Sequence, residues 1–214
     1  MRNFNTIALI GGTGKSGTFL VKELLARNYS VRLLVRNPKK IPSPNPNLEV
    51  LFGDATNHES IHQLLQGADA IISNLGIGIP MSPKTIFKEV TELIVAELKN
   101  RVSGRYVVLS GLNVDTKGDE KGAYTKAGTE FMYSNFPIST QNKQEEYKLL
   151  LESNLNWTMI RSSMIDLTDE KREYAISTTD CGGQKISASS LAEFMVDQLE
   201  SEKFSKKAPF IWDK

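Results

Sequence analysis

The chain has 214 residues, of which 40 % are apolar and 24 % are charged, an ordinary globular composition. Its 26 Lys and Arg residues nearly balance 25 Asp and Glu residues, which argues against a duplex-binding protein and against a polybasic membrane anchor. The single cysteine, Cys181, cannot form an internal disulfide, and no apolar run reaches membrane-spanning length. We therefore expect one domain over residues 1–214, located in the cytoplasm, without nucleic acid or membrane as partner.

Short apolar runs alternate with segments of helical periodicity along most of the chain. The runs are typical of parallel strands covered on both faces, and they are Thr6–Ile10, Val31–Val35, Leu48–Phe52, Ala70–Ile72, Tyr106–Leu109 and Trp157–Ile160. Helical spacing indicates helices around residues 19–27, 86–98 and 191–199. The alternation predicts an α/β class with a doubly wound parallel sheet, the Rossmann fold, in the order 3-2-1-4-5-6 or an extension of it. A small C-terminal part, roughly residues 155–214, is expected on the substrate side.

Three stretches depart from this alternation. Pro38 to Pro46 contains four prolines, which predicts an extended surface loop. Gly111 to Gly128 is polar and glycine-rich and follows a strand, where α/β proteins place functional loops. Ala208 to Trp212 is predicted as a late edge strand, with Pro209 near its start.

A glycine-rich turn separates the first strand from the first helix. Its spacing fits both G-x-x-G-x-x-G and G-x-G-x-x-G. One glycine allows the tight turn, another lets the main chain approach a pyrophosphate, and a third lets helix and strand pack closely. The phosphates would lie on the free N–H groups of the helix N-terminus. The predicted cofactor-binding residues of this turn are Gly11, Thr13, Gly14, Lys15, Ser16 and Gly17.

Comparison with two known nucleotide-binding patterns predicts which nucleotide the turn binds. Gly14-Lys15-Ser16 resembles the end of a Walker A motif, but that motif needs a glycine at position 9, which is Leu9, so a kinase or ATPase is excluded. NAD sites commonly place Asp or Glu at the end of the second strand, where this chain has Arg36, followed by Lys40. A guanidinium binds a 2′-phosphate, whereas a carboxylate repels it. We therefore predict NADP(H) rather than NAD, the alternative being a solvated basic turn.

Several further segments, together with the glycine turn, resemble the atypical short-chain dehydrogenase/reductases. They are Leu34–Pro38, Gly53–Ala55, Ser73–Gly76, Val108–Ser110, Lys143–Glu146, Asn156–Arg161 and Ile186–Met195, which extend over nearly the whole chain. The branch they resemble is the small NAD(P)-binding group of NmrA-like proteins and flavin (biliverdin-IXβ) reductases. The resemblance implies that Asp54 and Ala55 hold the adenine, that Asn74 to Gly76 line the ribose and nicotinamide, and that Ser110 lies near the reacting ring. For Asp54 the alternative is a turn carboxylate.

The usual catalytic pair of this family, Tyr-x-x-x-Lys, is incomplete. None of the six tyrosines is followed by a lysine four residues later; Lys143 matches the family lysine, but Ser139 stands in the tyrosine position. Ser110 and Lys143 are the catalytic candidates, and the alternative for Lys143 is a solvated helix residue. Without the tyrosine as acid, carbonyl or alcohol redox chemistry and sugar epimerisation are disfavoured.

A histidine motif offers a competing interpretation. His58 to His62 matches the zinc pattern H-E-x-x-H. Asn57 is predicted as a helix N-cap, which would place His58 in an exposed first turn, and no further histidine follows at metzincin spacing. We therefore predict a solvated helix face and no metal site.

These features favour an NADPH-dependent reductase that passes hydride to a flavin-like or other planar small molecule. The alternative is a non-catalytic NADP(H)-binding redox sensor or regulatory protein of the NmrA-like type, and a nucleotide-sugar epimerase is a third, disfavoured reading. The apolar segment Leu75–Pro80, with Ser162–Met164, could form a flat acceptor pocket or be ordinary loop packing. We expect a monomer or a small homo-oligomer.

Overall fold

A computed structural model describes residues 4–76, 83–99 and 104–214 of the chain. The strands are β1 (Thr6–Ile10), β2 (Ser30–Val35), β3 (Leu48–Phe52), β4 (Ala70–Ser73), β5 (Arg105–Gly111), β6 (Asn156–Ser162), β7 (Met164–Asp166), β8 (Tyr174–Ser177), β9 (Lys185–Ser187) and β10 (Phe210–Asp213). The helices are α1 (Gly17–Ala26), α2 (His58–Leu65), α3 (Ile86–Leu98), α4 (Ala123–Asn135), α5 (Pro137–Glu152) and α6 (Ala188–Asp197). Among the described residues, no helix has both the length and the apolar character that a membrane crossing requires.

Eight strands form the main sheet in the order β3-β2-β1-β4-β5-β6-β10-β8. The first six are the predicted doubly wound order, and all pairings among them are parallel. β10 extends the sheet parallel to β6, and β8 closes this edge antiparallel to β10. β7 and β9 pair separately, in parallel. The predicted Rossmann-like α/β fold is therefore confirmed.

Both faces of the sheet are covered by helices, which explains the nearly continuous apolar runs of the strands. Side chains alternate along β1: Ile7 and Leu9 pack on the side of α1 and α6, whereas Ala8 and Ile10 pack on the side of α2, α3 and α5. All four side chains are buried. The central strands therefore have no solvated face, and their carboxyl ends lead into the loops that carry function.

The predicted C-terminal edge strand is wrong in its position. β10 begins at Phe210, directly after Pro209, and lies inside the sheet between β6 and β8. Its outer side is covered by β8, a strand that the sequence analysis did not predict. β8 is only half-buried and its apolar run, Tyr174–Ile176, has three residues, so its strand signal is weak.

Two loop predictions need partial correction. The proline-rich stretch is exposed for most of its length, but its first three residues, Pro38–Lys40, form a 3-10 turn that the Asn37 side chain caps by accepting the Lys39 N–H at 3.0 Å. The predicted loop from Gly111 to Gly128 ends early, because α4 begins at Ala123. Among the residues of α4, all of which are described, Thr125 alone is buried, so the helix has no apolar stripe.

The buried guanidinium of Arg161 joins β6 to chain segments on both sides. Its Nη1 donates to both carboxylate oxygens of Asp119 at 2.8 and 2.7 Å and to the carbonyl of Val114 at 3.0 Å. Its Nε donates to the carbonyl of Ala208 at 2.7 Å, and the Phe210 ring lies 3.5 Å away. Burial lowers the pKa of Arg161, and the hydrogen bonds that Arg161 donates to Asp119 oppose that shift. The Asp119 carboxylate therefore compensates a charge that has left water.

We expect Asp119→Asn to lower the free energy of unfolding by about 3–5 kcal/mol, because it leaves the Arg161 charge buried without a counter-ion. The measurement is the midpoint of urea unfolding at constant slope. Asp169→Asn is the matched control, since Asp169 pairs with Lys22 on the surface, with side chains 70 % and 69 % exposed, and it should change the midpoint little. Equal losses in the two variants would contradict the role given to Arg161.

Candidate functional site

The turn between β1 and α1 requires glycine at its first and last positions. Gly11 has a φ of +80°, a conformation that favours glycine, and a Cβ there would collide with the main chain of Asn74. A Cβ at Gly17 would collide with the Gly11 carbonyl, so glycine lets α1 pack against the turn. The Gly14 N–H donates to the Gly11 carbonyl at 3.0 Å and closes the turn. The tight turn and the close packing expected of these glycines are therefore both present.

The N-terminus of α1 has no side-chain cap within the described residues. Its N-cap residue, Ser16, instead accepts a hydrogen bond on its hydroxyl from Asn74 Nδ2 at 3.0 Å. No acidic residue lies in the first turn of α1. The first N–H groups and the positive end of the helix dipole therefore favour an anion at this position.

A cavity of about 450 Å³ opens beside this turn, at the carboxyl ends of β1 to β4. Its lining includes every predicted cofactor residue except Gly17, namely Gly11, Thr13, Gly14, Lys15, Ser16, Arg36, Lys40, Asp54, Ala55, Asn74 and Gly76. The other lining residues are Ile10, Leu34, Asn37, Gly53, Leu75 and Ile86; Leu75 belongs to the segment that the resemblance assigned to the ribose and nicotinamide, and the other five were not named as cofactor residues. Most of these follow or end a predicted strand, so the rule that ligands bind beyond parallel strand ends could have found them.

Charge in the cavity is mostly basic. Lys15, Arg36 and Lys40 line it, against Asp54 as the acidic residue among the described lining residues. Asp54 Oδ1 accepts the N–H and the hydroxyl of Thr56 at 2.9 and 2.8 Å. Asp54 is therefore a turn carboxylate that also lines the cavity, and its contact with the adenine stays a prediction.

Two observations support a fit between these residues and a dinucleotide. Asn74 is 6 % exposed, and its Oδ1 has no hydrogen-bond partner among the residues that the structure describes. Buried polar atoms are normally bonded, so this oxygen calls for a donor from a ligand. Gly14 lines the cavity, and a Cβ there would stand only 3.2 Å from the Gly11 carbonyl, in the space where a phosphate would approach the main chain.

Two polar side chains at the end of β5 are buried without a partner in the described part of the chain. They are Ser110, whose Oγ is unpaired, and Asn113, whose Nδ2 is unpaired, with exposures of 5 % and 4 %. Ser110 does not line the 450 Å³ cavity among its described residues; it ends the strand next to β4, whose end carries Asn74. The sequence analysis missed Asn113, although a polar residue soon after the strand-end serine is a signal that could have found it.

Lys143 is not the solvated helix residue that the sequence analysis offered as an alternative. Its buried Nζ donates to the carbonyl of Leu109 at 2.8 Å and to Glu146 Oε2 at 3.1 Å, and it lies 3.9 Å from the centre of the Phe87 ring. It does not line the 450 Å³ cavity among the described residues. The geometry makes Lys143 a positioning residue for the end of β5, and a direct catalytic role stays a prediction.

Glu146 extends this buried pair into a polar network. Its Oε1 accepts the hydroxyl of Thr91 at 2.9 Å, and that hydroxyl lies 3.1 Å from the hydroxyl of Tyr106. Burial raises the pKa of Glu146, while the charge of Lys143 opposes the shift. Burial also raises the pKa of Tyr106, so the phenol stays protonated and is available as a donor.

The other predicted features are Ser139 and the two segments of the expected acceptor pocket. Ser139 uses its hydroxyl to bond the carbonyl of Phe136 at 3.1 Å, within the first turn of α5. The segment Leu75–Pro80 is described only at Leu75 and Gly76, which line the cavity; residues 77–80 lie outside the described ranges. Of the segment Ser162–Met164, the two serines are buried and the methionine is exposed.

The histidines of the H-E-x-x-H motif lie on the exposed surface of α2, as predicted. His58 Nε2 and His62 Nδ1 contact the two oxygens of Glu97, on α3, at 3.1 and 3.0 Å. Within residues 4–76, 83–99 and 104–214, no group of three or more His, Cys, Asp or Glu side chains is arranged to hold a metal ion. The motif therefore joins α2 to α3 through one carboxylate.

The family model described as NAD(P)H-binding matches residues 11–202 of the chain. Among curated proteins, a photosystem II assembly factor of Trieres chinensis is 38 % identical over 68 residues, which covers 31 % of this chain and 21 % of that protein. The segments matched in the first curated relatives span only 21 % to 25 % of those relatives' own length.

Solved structures with the same fold cover almost the whole chain. A wide-type short-chain dehydrogenase/reductase of Veillonella parvula DSM 2008, in complex with NADP, has a TM-score of 0.77 at 20 % identity and covers 99 % of this chain and 95 % of its own. A protein of Streptococcus pneumoniae TIGR4, provisionally described as an NADH-flavin reductase, has a TM-score of 0.78 at 22 % identity and covers 98 % of this chain and 100 % of its own.

We expect Lys143→Met to destabilise the protein by about 3–5 kcal/mol at neutral pH, because the Glu146 carboxylate then stays buried without its cation. The loss should shrink as the pH falls: a carboxyl whose pKa is raised by folding contributes its full stability below its unfolded pKa and loses it as the pH rises through the raised value. Urea unfolding at several pH values measures this. The double variant Lys143→Met/Glu146→Gln should recover most of the loss at neutral pH, and an equal loss in single and double variants would contradict the coupling.

Proposed function

Because the chain belongs to the NAD(P)H-binding family, whose model matches residues 11–202, we propose that it is an NADPH-dependent reductase that acts on a flavin-like or other planar small molecule. The observation that carries the proposal is the single cavity in which the glycine turn, the basic residues after β2 and the buried Asn74 come together. A dinucleotide needs these three features in one place: a phosphate cradle, a contact for the adenosine end and polar atoms for the ribose.

The preference for NADPH rests on the residues after β2. Arg36 and Lys40 line the same cavity as the turn, where NAD sites commonly have a carboxylate. A guanidinium can bond a 2′-phosphate through two N–H groups, which makes the contact both strong and specific. The Veillonella parvula protein, which has the same fold, is in complex with NADP, and this supports the proposal.

The remaining cavity residues would divide the cofactor among them. The turn N–H groups, with Lys15 and Ser16, would hold the pyrophosphate, Asp54 and Ala55 the adenine, and Asn74 the ribose. A reduced nicotinamide supplies a hydride when it is bound. Ser110, at the end of the neighbouring strand, would orient the groups at the reacting end rather than exchange a proton.

We infer a planar acceptor because this chain has no acid where the family's catalytic pair has its tyrosine. Ser139 bonds the main chain of α5, and Lys143 is occupied by Leu109 and Glu146. Reduction of a simple carbonyl needs a positioned acid, which is worth about 10²–10⁴ in rate. A flavin-like ring accepts a hydride into its conjugated system and can take the one proton that completes its reduction from water, so it needs no such acid.

A second candidate function, an NADP(H)-binding sensor or regulatory protein, is favoured by the same two residues, Ser139 and Lys143. The cavity is lined by all the predicted cofactor residues except Gly17, whereas the lysine of the catalytic pair forms a buried ion pair. Binding without turnover would satisfy both observations. The acceptor experiment below separates the two functions.

Arg36→Ala should weaken NADPH binding by about 1–3 kcal/mol, because a charge-assisted hydrogen bond to the 2′-phosphate is lost. NADH binding should barely change. Isothermal titration with both cofactors measures the two affinities. Gly14→Val is the matched control: it should weaken both cofactors alike by blocking the approach of the pyrophosphate, and an equal loss for both cofactors in Arg36→Ala would mean that Arg36 is structural.

We expect the protein to oxidise NADPH with riboflavin, FMN or a similar planar dye, and to do so only weakly with simple aldehydes and ketones. Ser110→Ala should lower the rate only modestly, because Ser110 orients and does not protonate. The disappearance of NADPH absorbance, corrected for the reaction without protein, is the measurement. Fast turnover of aldehydes with inert flavins would refute the reductase proposal as stated, and tight NADPH binding without any turnover would leave the sensor in its place.

A further inference from the structure

The unpaired amide of Asn113 lies beside the end of β5, close to Ser110. A Cβ on Gly111 would stand 2.5 Å from Asn113 Oδ1, so the amide folds back over the last residue of the strand. Both Asn113 Nδ2 and Ser110 Oγ are buried without a hydrogen-bond partner in the described part of the chain. A polar group that leaves water without a partner is costly, so an unpaired amide and an unpaired hydroxyl at one strand end point to a ligand that supplies the missing bonds.

This pair lies one strand beyond the cofactor cavity, and neither Ser110 nor Asn113 is among the described residues that line it. β5 pairs with β4, and Asn74, the residue after β4, lines the cavity. On its other side β5 pairs with β6 up to Gly111 and Ser162. Ser110 and Asn113 therefore lie at the same carboxyl edge of the sheet as the cofactor cavity, one strand farther from the glycine turn, where an acceptor would meet the nicotinamide end.

The main chain around Asn113 is fixed from both sides. The Leu109 carbonyl accepts Lys143 Nζ at 2.8 Å, and the Val114 carbonyl accepts Arg161 Nη1 at 3.0 Å. Asp115, the residue after Val114, is held as well, because the side chain of Gln144 on α5 accepts from the Asp115 N–H at 2.8 Å and donates to the Asp115 carbonyl at 3.0 Å. The unpaired amide is thus preorganised on a rigid segment, which is how binding groups are held for recognition.

The chemistry of the pair selects a neutral oxygen rather than an anion. Asn113 offers an uncharged N–H donor and Ser110 an uncharged hydroxyl. The two cations tied to this segment are already compensated, Lys143 by Glu146 and Arg161 by Asp119. A carboxylate or phosphate would find no uncompensated positive charge among them, whereas a ring carbonyl needs only neutral donors.

We propose that Asn113 is a specificity-determining residue whose Nδ2 donates a hydrogen bond to a ring carbonyl of the acceptor, beside Ser110. The substrate class is then narrower than planar molecules in general: it comprises isoalloxazines and quinones, which carry a carbonyl near the atom that accepts hydride. The inference rests on the proposed reductase function. It adds a contact that discriminates among planar acceptors of similar size.

The test compares acceptors with and without a ring carbonyl in the full-length chain. Riboflavin and 2-methyl-1,4-naphthoquinone carry ring carbonyls, whereas methylene blue is a planar three-ring dye without one. For Asn113→Ala we expect kcat/KM to fall about tenfold with the first two, as for the loss of one buried neutral hydrogen bond, and less than twofold with methylene blue. Quenching of riboflavin fluorescence, measured without nucleotide, should show a Kd about tenfold weaker.

Two further variants separate recognition from stability. Asn113→Asp keeps the shape but removes the N–H donor, so it should lose discrimination as Asn113→Ala does. Gln198→Leu is the matched control. Gln198 also has a buried side-chain atom, Oε1, without a partner among the described residues, but this residue lies at the opposite end of β5, where its main-chain carbonyl accepts from Arg105 Nε. Gln198→Leu should leave the ratio of riboflavin to methylene blue turnover unchanged.

The outcomes distinguish this inference from the proposed function. Equal losses with all acceptors, no loss with any, or a loss confined to NADPH affinity would each overturn the role of Asn113 while leaving the reductase in place. Riboflavin binding that weakens tenfold in Asn113→Ala, in a protein that reduces nothing, would refute the reductase and keep the carbonyl contact. A wild-type protein that neither binds riboflavin nor reduces any of the three acceptors would overturn both.

Discussion

Two buried cations hold the main chain where β5 ends, and the reacting end of the site depends on them. Lys143 reaches from α5 to the carbonyl of Leu109, and Arg161 reaches from β6 to the carbonyl of Val114. Each cation is neutralised by a buried carboxylate, because neither charge could remain in the interior alone. The four residues between those carbonyls are therefore held at both ends by charge-assisted bonds, which are about twice as strong as neutral ones.

The ion pairs of Lys143 and Arg161 also connect segments that are far apart in the chain. Arg161 also donates to the carbonyl of Ala208, just before β10, so the late strand and the loop after β5 share one donor. Glu146 links α5 through Thr91 to Tyr106, at the second position of β5. Burial lowers the pKa of Arg105, at the opposite end of β5, to about 10, so this strand begins as well as ends beside a buried cation. The charges lie where carbonyls need donors, and the apolar layers fill the space between them.

The buried ion pairs also explain which parts of the fold and of the site could be predicted from the sequence. The six strands of the doubly wound core and the glycine turn were predicted because apolar runs and glycine spacing are local signals, and both faces of β1 are covered. α5 has no such signal: its buried face carries Ser139, Asn142, Lys143 and Glu146, which resemble a solvated surface in the sequence. Burial of a charge is decided by its partner far along the chain, and no local pattern reports that partner. β8 was missed because it is short and only half-buried, so its local signal is weak.

The lysine of the family's catalytic pair has a role in this chain that needs no tyrosine. In the usual pair the lysine lowers the pKa of a tyrosine, but here its Nζ bonds the main chain directly before Ser110 and a carboxylate one turn farther along α5. The ammonium group thus holds the main chain in this geometry, and a direct catalytic role for Lys143 stays a prediction. A site built in this way can hold a donor and an acceptor ring in place without supplying a proton, which suits chemistry that is carried by the cofactor itself. The same rigid segment is compatible with both proposed functions, turnover of an acceptor and binding of the cofactor alone.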